Sequence, residues 1–351
     1  MDFASINLDE LREKYQKHTN REPFPHQTEA FSALTKIFSL PATQFKGGLL
    51  VLPTGAGKTF TAVNWLYNHV IPKNIRVLWL AQSSNLLDQA FDAFYNNALN
   101  IPHIRKTLNI RVVSSSRSHS SIAKIEDSDD ILIITTQSAI ISYNSTPEDL
   151  SGNIVQTNFR RFIDNNNGTG LFVVLDEAHH APAYGCRKLL DGIRATIPNY
   201  YLLGLTATPT YTDKNKSGWL YKIFDHKVIY EAQKTKLIAQ DILAKPKYIE
   251  KQTGREYRVD DSLYDRLVRQ HKDLPEDIIE KLANDSARNN YIVHEYNKDT
   301  YGKTIIFADR WYQCVYLETK LGKRDRGYET FHAKNNQFLL PLPGGFKNIY
   351  S

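Results

Sequence analysis

The chain has 351 residues, 41% of them hydrophobic and 23% charged, values of a globular protein with room for two domains with cores of their own. A net charge of +6 and a pI near 9.0 suit a polyanionic partner. Two cysteines, Cys186 and Cys314, lie far apart without metal-ligand spacing, which argues against zinc and for a reducing, cytoplasmic setting; no run reaches the roughly 20 apolar residues of a membrane span, and the opening MDFASINLDELREKYQ lacks the apolar core of a secretory leader.

In chain order, residues 1–23 read as an amphipathic helical segment with Leu8, Leu11 and Tyr15 on one face. From 24 to 230, apolar strands alternate with helical stretches. Strands are expected at Gly48–Pro53, Arg76–Ala81, Ile110–Ser114, Ile131–Thr135, Leu171–Asp176 and Tyr200–Thr206. That alternation predicts an α/β fold: a parallel sheet with helices on both faces, binding its ligand at the carboxyl ends of the strands. Ser114–Ser121 and Asp164–Thr169 read as loops. Residues 231–300 read as a connector, with a strand at Ala244–Glu250 and helical spacing over Ser262–His271 and Pro275–Tyr296. Residues 301–351 open a further domain and end in FLLPLPGGFKNIYS, where Pro341, Pro343, Gly344 and Gly345 oppose a helix.

Two segments carry chemistry. Leu49–Leu66, LLVLPTGAGKTFTAVNWL, reads as strand, glycine loop and helix. In such a loop the backbone N–H groups of Thr54, Gly55, Ala56, Gly57, Lys58 and Thr59 converge on phosphate, Lys58 adds its charge, and the Thr59 hydroxyl suits Mg²⁺. The strict Walker A pattern wants glycine where Leu52 stands, so a ligand-free strand-to-helix turn is the alternative. Gly170–Gly185 is an apolar strand ending in Asp176-Glu177. A P-loop ATPase needs one carboxylate at such a strand end for Mg²⁺ and another to orient and deprotonate water, which suits Asp176 and Glu177; a surface acidic pair is the bland alternative.

PTGAGKT (Pro53 to Thr59), DEAH (Asp176 to His179) and LTATP (Leu205 to Pro209), in that order, resemble motifs I, II and III of a superfamily 2 helicase of the type I/III restriction-enzyme branch. The resemblance implies a RecA-like P-loop NTPase fold, ATP and Mg²⁺ as cofactors, and a nucleic-acid partner, DNA before RNA. It tolerates a residue other than glycine at Leu52. FPHQTEAF (Phe24 to Phe31) resembles the upstream glutamine motif and implies that Gln27 reads adenine. Val77–Phe91 and Ile131–Ala139 resemble motifs Ia and Ib, implying nucleic-acid contacts by Gln82, Ser83, Thr136 and Gln137. His179, Thr206 and Thr208 would couple the phosphate site to domain movement. Lys303–Leu321 resembles motif IV, the opening of a second RecA-like lobe.

Motifs V and VI do not follow, so the second lobe reads as truncated after 301, with its arginine finger to be supplied by a protein partner. KQTGREYR (Lys251 to Arg258) resembles the end of motif VI but precedes motif IV, so Arg255 and Arg258 read as connector charges. The expected function is the ATP-binding lobe of a DNA helicase or translocase with poor unwinding of its own. A non-motor ATP- or nucleic-acid-binding module, or an inert fragment, is the alternative.

Overall fold

The computed structural model describes residues 2–15, 22–38, 45–102, 105–146, 155–209, 217–251, 253, 260, 262, 275–298 and 306–321, and the backbone of 332–334, 337–342 and 345–350. They form two compact units, 1–245 and 246–351.

The first unit is built on an eight-stranded sheet. Its strands are β1 (Phe3–Asn7), β2 (Lys46–Val51), β3 (Arg76–Ala81), β4 (Thr107–Val113), β5 (Ile131–Thr135), β6 (Leu171–Leu175), β7 (Tyr200–Thr206) and β8 (Val228–Glu231). The order across the sheet is β1-β4-β5-β3-β6-β7-β2-β8. Every pairing is parallel except β1 with β4. All six expected strands are present within a few residues of their expected bounds. Their continuous apolar runs, such as LFVVL in β6, are what a strand covered on both faces requires.

Helices α1 (Leu8–Lys14), α2 (Pro25–Ile37), α3 (Lys58–His69) and α4 (Ser84–Asn96) supply one apolar layer; α5 (Thr136–Asn144), α6 (Asn158–Asp164), α7 (Tyr184–Thr196) and α8 (Ser217–Ile223) supply the other. The strands feed both by alternation: Leu50, Val77 and Trp79 point to the first core, Leu49, Leu78 and Leu80 to the second. The helices read the same way. Leu87, Ala90, Phe91 and Phe94 of α4, and Cys186, Leu189, Leu190 and Ile193 of α7, are buried at helical spacing. Trp79 is a core side chain, edge-on to Phe94.

The opening departs from expectation. Residues 3–7 are the antiparallel edge strand β1, and among the described residues before position 24 the helix is Leu8–Lys14. Asn7 stops the strand by accepting hydrogen bonds from the N–H groups of Asp9 and Glu10, which caps α1. Phe3 lies over the Arg111 guanidinium, itself paired with buried Asp129 at 2.7 Å. Tyr15 ends the helix exposed instead of sharing the buried face.

At the other edge, β8 pairs with β2, and α9 (Lys234–Ala239) follows it. The first unit therefore continues past position 230 to Lys245. Residues 244–250 form no strand. The segment 263–271, Arg255 and Arg258 lie outside the described residues.

In the second unit, the expected helical stretch Pro275–Tyr296 is two helices, α10 (Glu276–Asn284) and α11 (Ser286–Lys298). Asp285 between them is extended, and its Oδ1 accepts the Arg288 N–H, so it ends one helix and caps the next. The motif IV helix is α12 (Trp311–Leu321); positions 303–305 before it lie outside the described residues. Gln313 of α12 donates to buried Asn289 of α11 at 2.7 Å. Three antiparallel strands close the chain: β9 (His332–Lys334), β10 (Gln337–Leu342) and β11 (Gly345–Tyr350). Of the Pro/Gly cluster that opposes a helix, Pro341 lies in β10 and Gly345 begins β11; Pro343 and Gly344 lie outside the described residues.

Among the described residues no helix is long and apolar enough to cross a membrane.

Candidate functional site

The motifs meet along the carboxyl edge of the sheet. The glycine loop leaves β2, Asp176 and Glu177 leave β6, and Thr206 ends β7 between them. One strand separates the loop from the acidic pair, a gap of roughly 10 Å at two inter-strand spacings.

The loop is shaped by its glycines. Gly55 and Gly57 have φ of 85° and 83°, which side chains disfavour. A Cβ on Gly57 would stand 2.5 Å from Gln27 Nε2. Leu52, where strict Walker A has glycine, needs no such freedom. Its N–H still bonds the Thr206 carbonyl at 3.0 Å, and its side chain is fully buried, so it prolongs β2 before the turn begins. Ala56 N–H closes the turn on Pro53 O, and α3 starts at Lys58. Thr54 and Thr59 flank the glycines, neither of them fully buried.

Gln27 holds the loop from behind. Its Oε1 accepts from Phe24 N–H at 2.9 Å and its Nε2 donates to Ala56 O at 3.2 Å. His26 Nε2 meets the same carbonyl at 2.9 Å. Both side chains are buried.

A chain of polar contacts crosses from α3 to β7. Lys58 Nζ lies 3.8 Å from Glu177 Oε1, and Glu177 Oε2 lies 3.4 Å from His179 Nδ1. His179 Nδ1 lies 3.4 Å from Thr206 Oγ1, whose single hydrogen goes to Thr208 O at 2.8 Å. That leaves His179 Nδ1 as the donor, so its proton sits there. Burial, then the charge of His180, lowers the His179 pKa and favours the neutral ring. Thr208 turns back on Thr206 through its own N–H, and is exposed. Of the two threonines, Thr206 is the one that reaches His179 in these contacts.

Asp176 is buried, and its carboxyl is pushed up to about 6. Burial is the main cause; the Glu177 N–H, bonded to Oδ1 at 3.0 Å, and Lys58 oppose it, while the Glu177 charge adds to it. Glu177 sits in left-handed backbone, φ 48° and ψ 54°. That conformation costs a residue with a side chain about 1–2 kcal/mol; Asn74, Asp225, His226 and Asp241 share its positive φ outside these motifs.

The residues fit Mg²⁺ and a polyphosphate. A buried carboxylate with one N–H partner gains from a cation, and a glycine loop that ends at a helix N-terminus beside a lysine gains from an anion.

Farther along the edge lie the expected nucleic-acid residues. Gln82 Nε2 donates to Thr136 Oγ1 at 3.4 Å, and Thr136 donates to Ala81 O at 3.2 Å. Gln82 and Gln137 are exposed, Ser83 is half-buried, and Thr136 is buried. One constellation was not anticipated. In the polar loop after β4, Ser114 Oγ meets His119 Nδ1 at 2.7 Å, and His119 Nε2 meets Asp88 of α4 at 3.0 Å. This pins the loop to the helix that begins beside Ser83. The only sequence signal was a histidine amid serines, which is not specific.

Comparison with known proteins follows this geometry. Residues 20–211, more than half of the chain, match the family described as type III restriction enzyme, res subunit. No curated protein matches. Similar solved structures include a nuclease-deletion mutant of the type ISP restriction-modification enzyme LlaGI in complex with a DNA substrate mimic (16% identity, TM-score 0.40, covering 79% of this chain and 24% of that one). Others are the UvsW helicase from bacteriophage T4 (17%, TM-score 0.38, 61% and 63%) and the Pyrococcus furiosus Hef helicase domain (20%, TM-score 0.39, 61% and 37%). The chain thus spans under two thirds of each of those chains, and at these scores the likenesses carry no argument. The family match covers the glycine loop, the DEAH segment and LTATP, the same residues that converge on the sheet edge. The chain belongs to the family of the type III restriction enzyme res subunit, and so to the restriction-enzyme-like superfamily 2 helicases.

Proposed function

We propose that the first unit binds Mg·ATP at the β2–β7–β6 edge and, completed by a second lobe that brings an arginine to the γ-phosphate, hydrolyses it to move on DNA. The observation that carries this is the unbroken contact chain Lys58–Glu177–His179–Thr206, which ties the phosphate loop to the strand between the two motifs. Gly55 to Thr59 offer backbone N–H groups to phosphate oxygens, and Lys58 leaves Glu177 for the phosphates. Thr59 and Asp176 would hold Mg²⁺. Bound there, the ion would offset phosphate charge during transfer.

Glu177, released from Lys58, accepts the proton of the attacking water at a carboxylate oxygen. Neutral His179 then passes the change to Thr206 through its Nδ1–H. Gln27 already holds the loop; to read adenine, the second amide hydrogen on its buried Nε2 would have to turn to an acceptor on the base. Gln82, Ser83 and Gln137 suit sequence-blind contacts to DNA phosphates, and buried Thr136 would act by holding Gln82. By itself the chain should bind ATP, turn it over slowly and unwind poorly.

Phosphate release by the purified chain, with and without DNA, tests the reading, with Glu177→Gln as the blank. DNA-stimulated turnover above the blank supports a motor. Bound nucleotide without turnover supports a binding module that needs a partner. No nucleotide binding overturns the proposal.

A further inference from the structure

A half-open cleft of ≈ 100 Å³ lies between α7, the start of β7 and α8, room for a phosphate group and smaller than a site that encloses a whole small molecule. Tyr200 of the cleft begins β7 and Thr206 ends it, so the cleft is roughly 20 Å from the motif edge at about 3.3 Å per residue.

Its charges are unusual in how they are held. The Arg194 guanidinium carbon stands 3.9 Å from the centre of the Phe45 ring, and that of Arg187 stands 4.3 Å from the centre of Trp219. Lys222 Nζ lies 5.1 Å from the same Trp219 ring. All three cations line the cleft, with Asp191 as the one acid among the lining residues. None of the three forms an ion pair among the described residues. Aromatic faces position them, and among the described residues no ion pair neutralises their charge.

Two further donors are unmet. The Tyr200 hydroxyl, on a residue 1% exposed, and Arg187 Nε are buried without a hydrogen-bond partner among the described residues. Buried polar groups are rarely left so. A cleft that offers hydrogens and positive charge on every polar side but one calls for an acceptor-rich anion. Among the described lining residues, three cations against one acid leave two charges to balance. A phosphomonoester carries close to two negative charges and three acceptor oxygens, where a carboxylate carries one and two.

We propose that this cleft, distinct from the ATP edge, binds the phosphate group of a small phosphomonoester whose remainder lies outside it. The aliphatic side chains of Leu190, Leu202 and Ile223 complete its wall.

The test is calorimetric titration with AMP, inorganic phosphate and adenosine, in EDTA, on the Lys58→Ala chain so that the phosphate loop contributes little. AMP should bind saturably, phosphate should compete, and adenosine should not bind. Arg194→Gln should weaken AMP by about tenfold, the scale of one charge-assisted bond. Tyr200→Phe keeps the ring against Phe45, so it should leave the melting midpoint unchanged or raised while weakening AMP by about threefold or more. Absent AMP binding at millimolar concentration, adenosine binding as tightly as AMP, or equal affinity in the Arg194 and Tyr200 variants would each overturn the site.

Discussion

The carboxyl edge of the sheet has two halves that use the same backbone positions in different ways. On the β2–β7–β6 half, the chain accepts strain and burial: Gly55 and Gly57 at positive φ, Glu177 in left-handed backbone, Asp176 buried with its carboxyl pushed up to about 6. On the β3–β5 half, Gln82, Ser83 and Gln137 sit unstrained, and the one buried member, Thr136, is hydrogen-bonded to its neighbours. Local cost that packing does not require marks where chemistry is demanded. The first half suits a cation beside an anion; the second could serve any polar surface.

The largest test of that contrast is Glu177→Gln. It keeps the size of the side chain and removes the base, so turnover should fall by about 10²-fold or more while ATP still binds. Steady-state phosphate release beside nucleotide binding reads both. A loss of binding that matched the loss of rate would mean that Glu177 matters through its contact with Lys58 alone.

Next is Gly57→Ala. The added Cβ meets left-handed backbone and Gln27 Nε2 at 2.5 Å, so the loop must shift. We expect nucleotide binding to be lost and the unfolding free energy to drop by about 1–2 kcal/mol. Gly168→Ala, with nothing within 4 Å and no positive φ, is the matched control and should change neither.

Asp176→Asn should part stability from function. In the folded chain the carboxyl binds its proton up to about pH 6, against a usual value of 3.8. The folded state therefore holds more protons than the unfolded one between those values, and stability falls as pH rises through that window. Above it, in EDTA, Asp176→Asn should be the more stable chain by about 3 kcal/mol, with the difference vanishing near pH 4. Melting curves across pH check this. Turnover should be lost throughout.

How far these features were legible in the sequence follows the same division. The loop and the DEAH segment could be read because few residue types meet their demands. The parallel strands could be read because a strand covered on both faces must be continuously apolar. The edge strands β1 and β8 could not: each is short and half-exposed, and its partner, β4 or β2, is distant in sequence. Helical spacing in Pro275–Tyr296 hid a break, because Asp285 interrupts the backbone without disturbing the apolar period. The cleft beside α7 was invisible, since Phe45, Arg194 and Tyr200 meet only in the fold.

The smallest effect bears on the half that sequence reading left most open. Gln82 is exposed and spends one amide hydrogen on Thr136, a bond of 3.4 Å that contributes little to stability. Gln82→Ala should leave melting and DNA-free turnover within error of the parent chain. If the β3–β5 half carries DNA, the concentration of DNA needed for half-maximal stimulation should rise a few-fold, and the rise should be the same for unrelated sequences, because the contacts reach phosphate and not bases. The salt dependence of binding should keep its slope, since a neutral amide releases no counterion. Thr136→Val, by contrast, frees Gln82 and leaves Ala81 O without its hydroxyl partner, so it should cost about 1 kcal/mol as well as the same few-fold in DNA. A Gln82 variant that needs no more DNA than the parent chain would reduce this half of the edge to ordinary capping, and the search for the DNA track would move to the loop pinned by Ser114, His119 and Asp88.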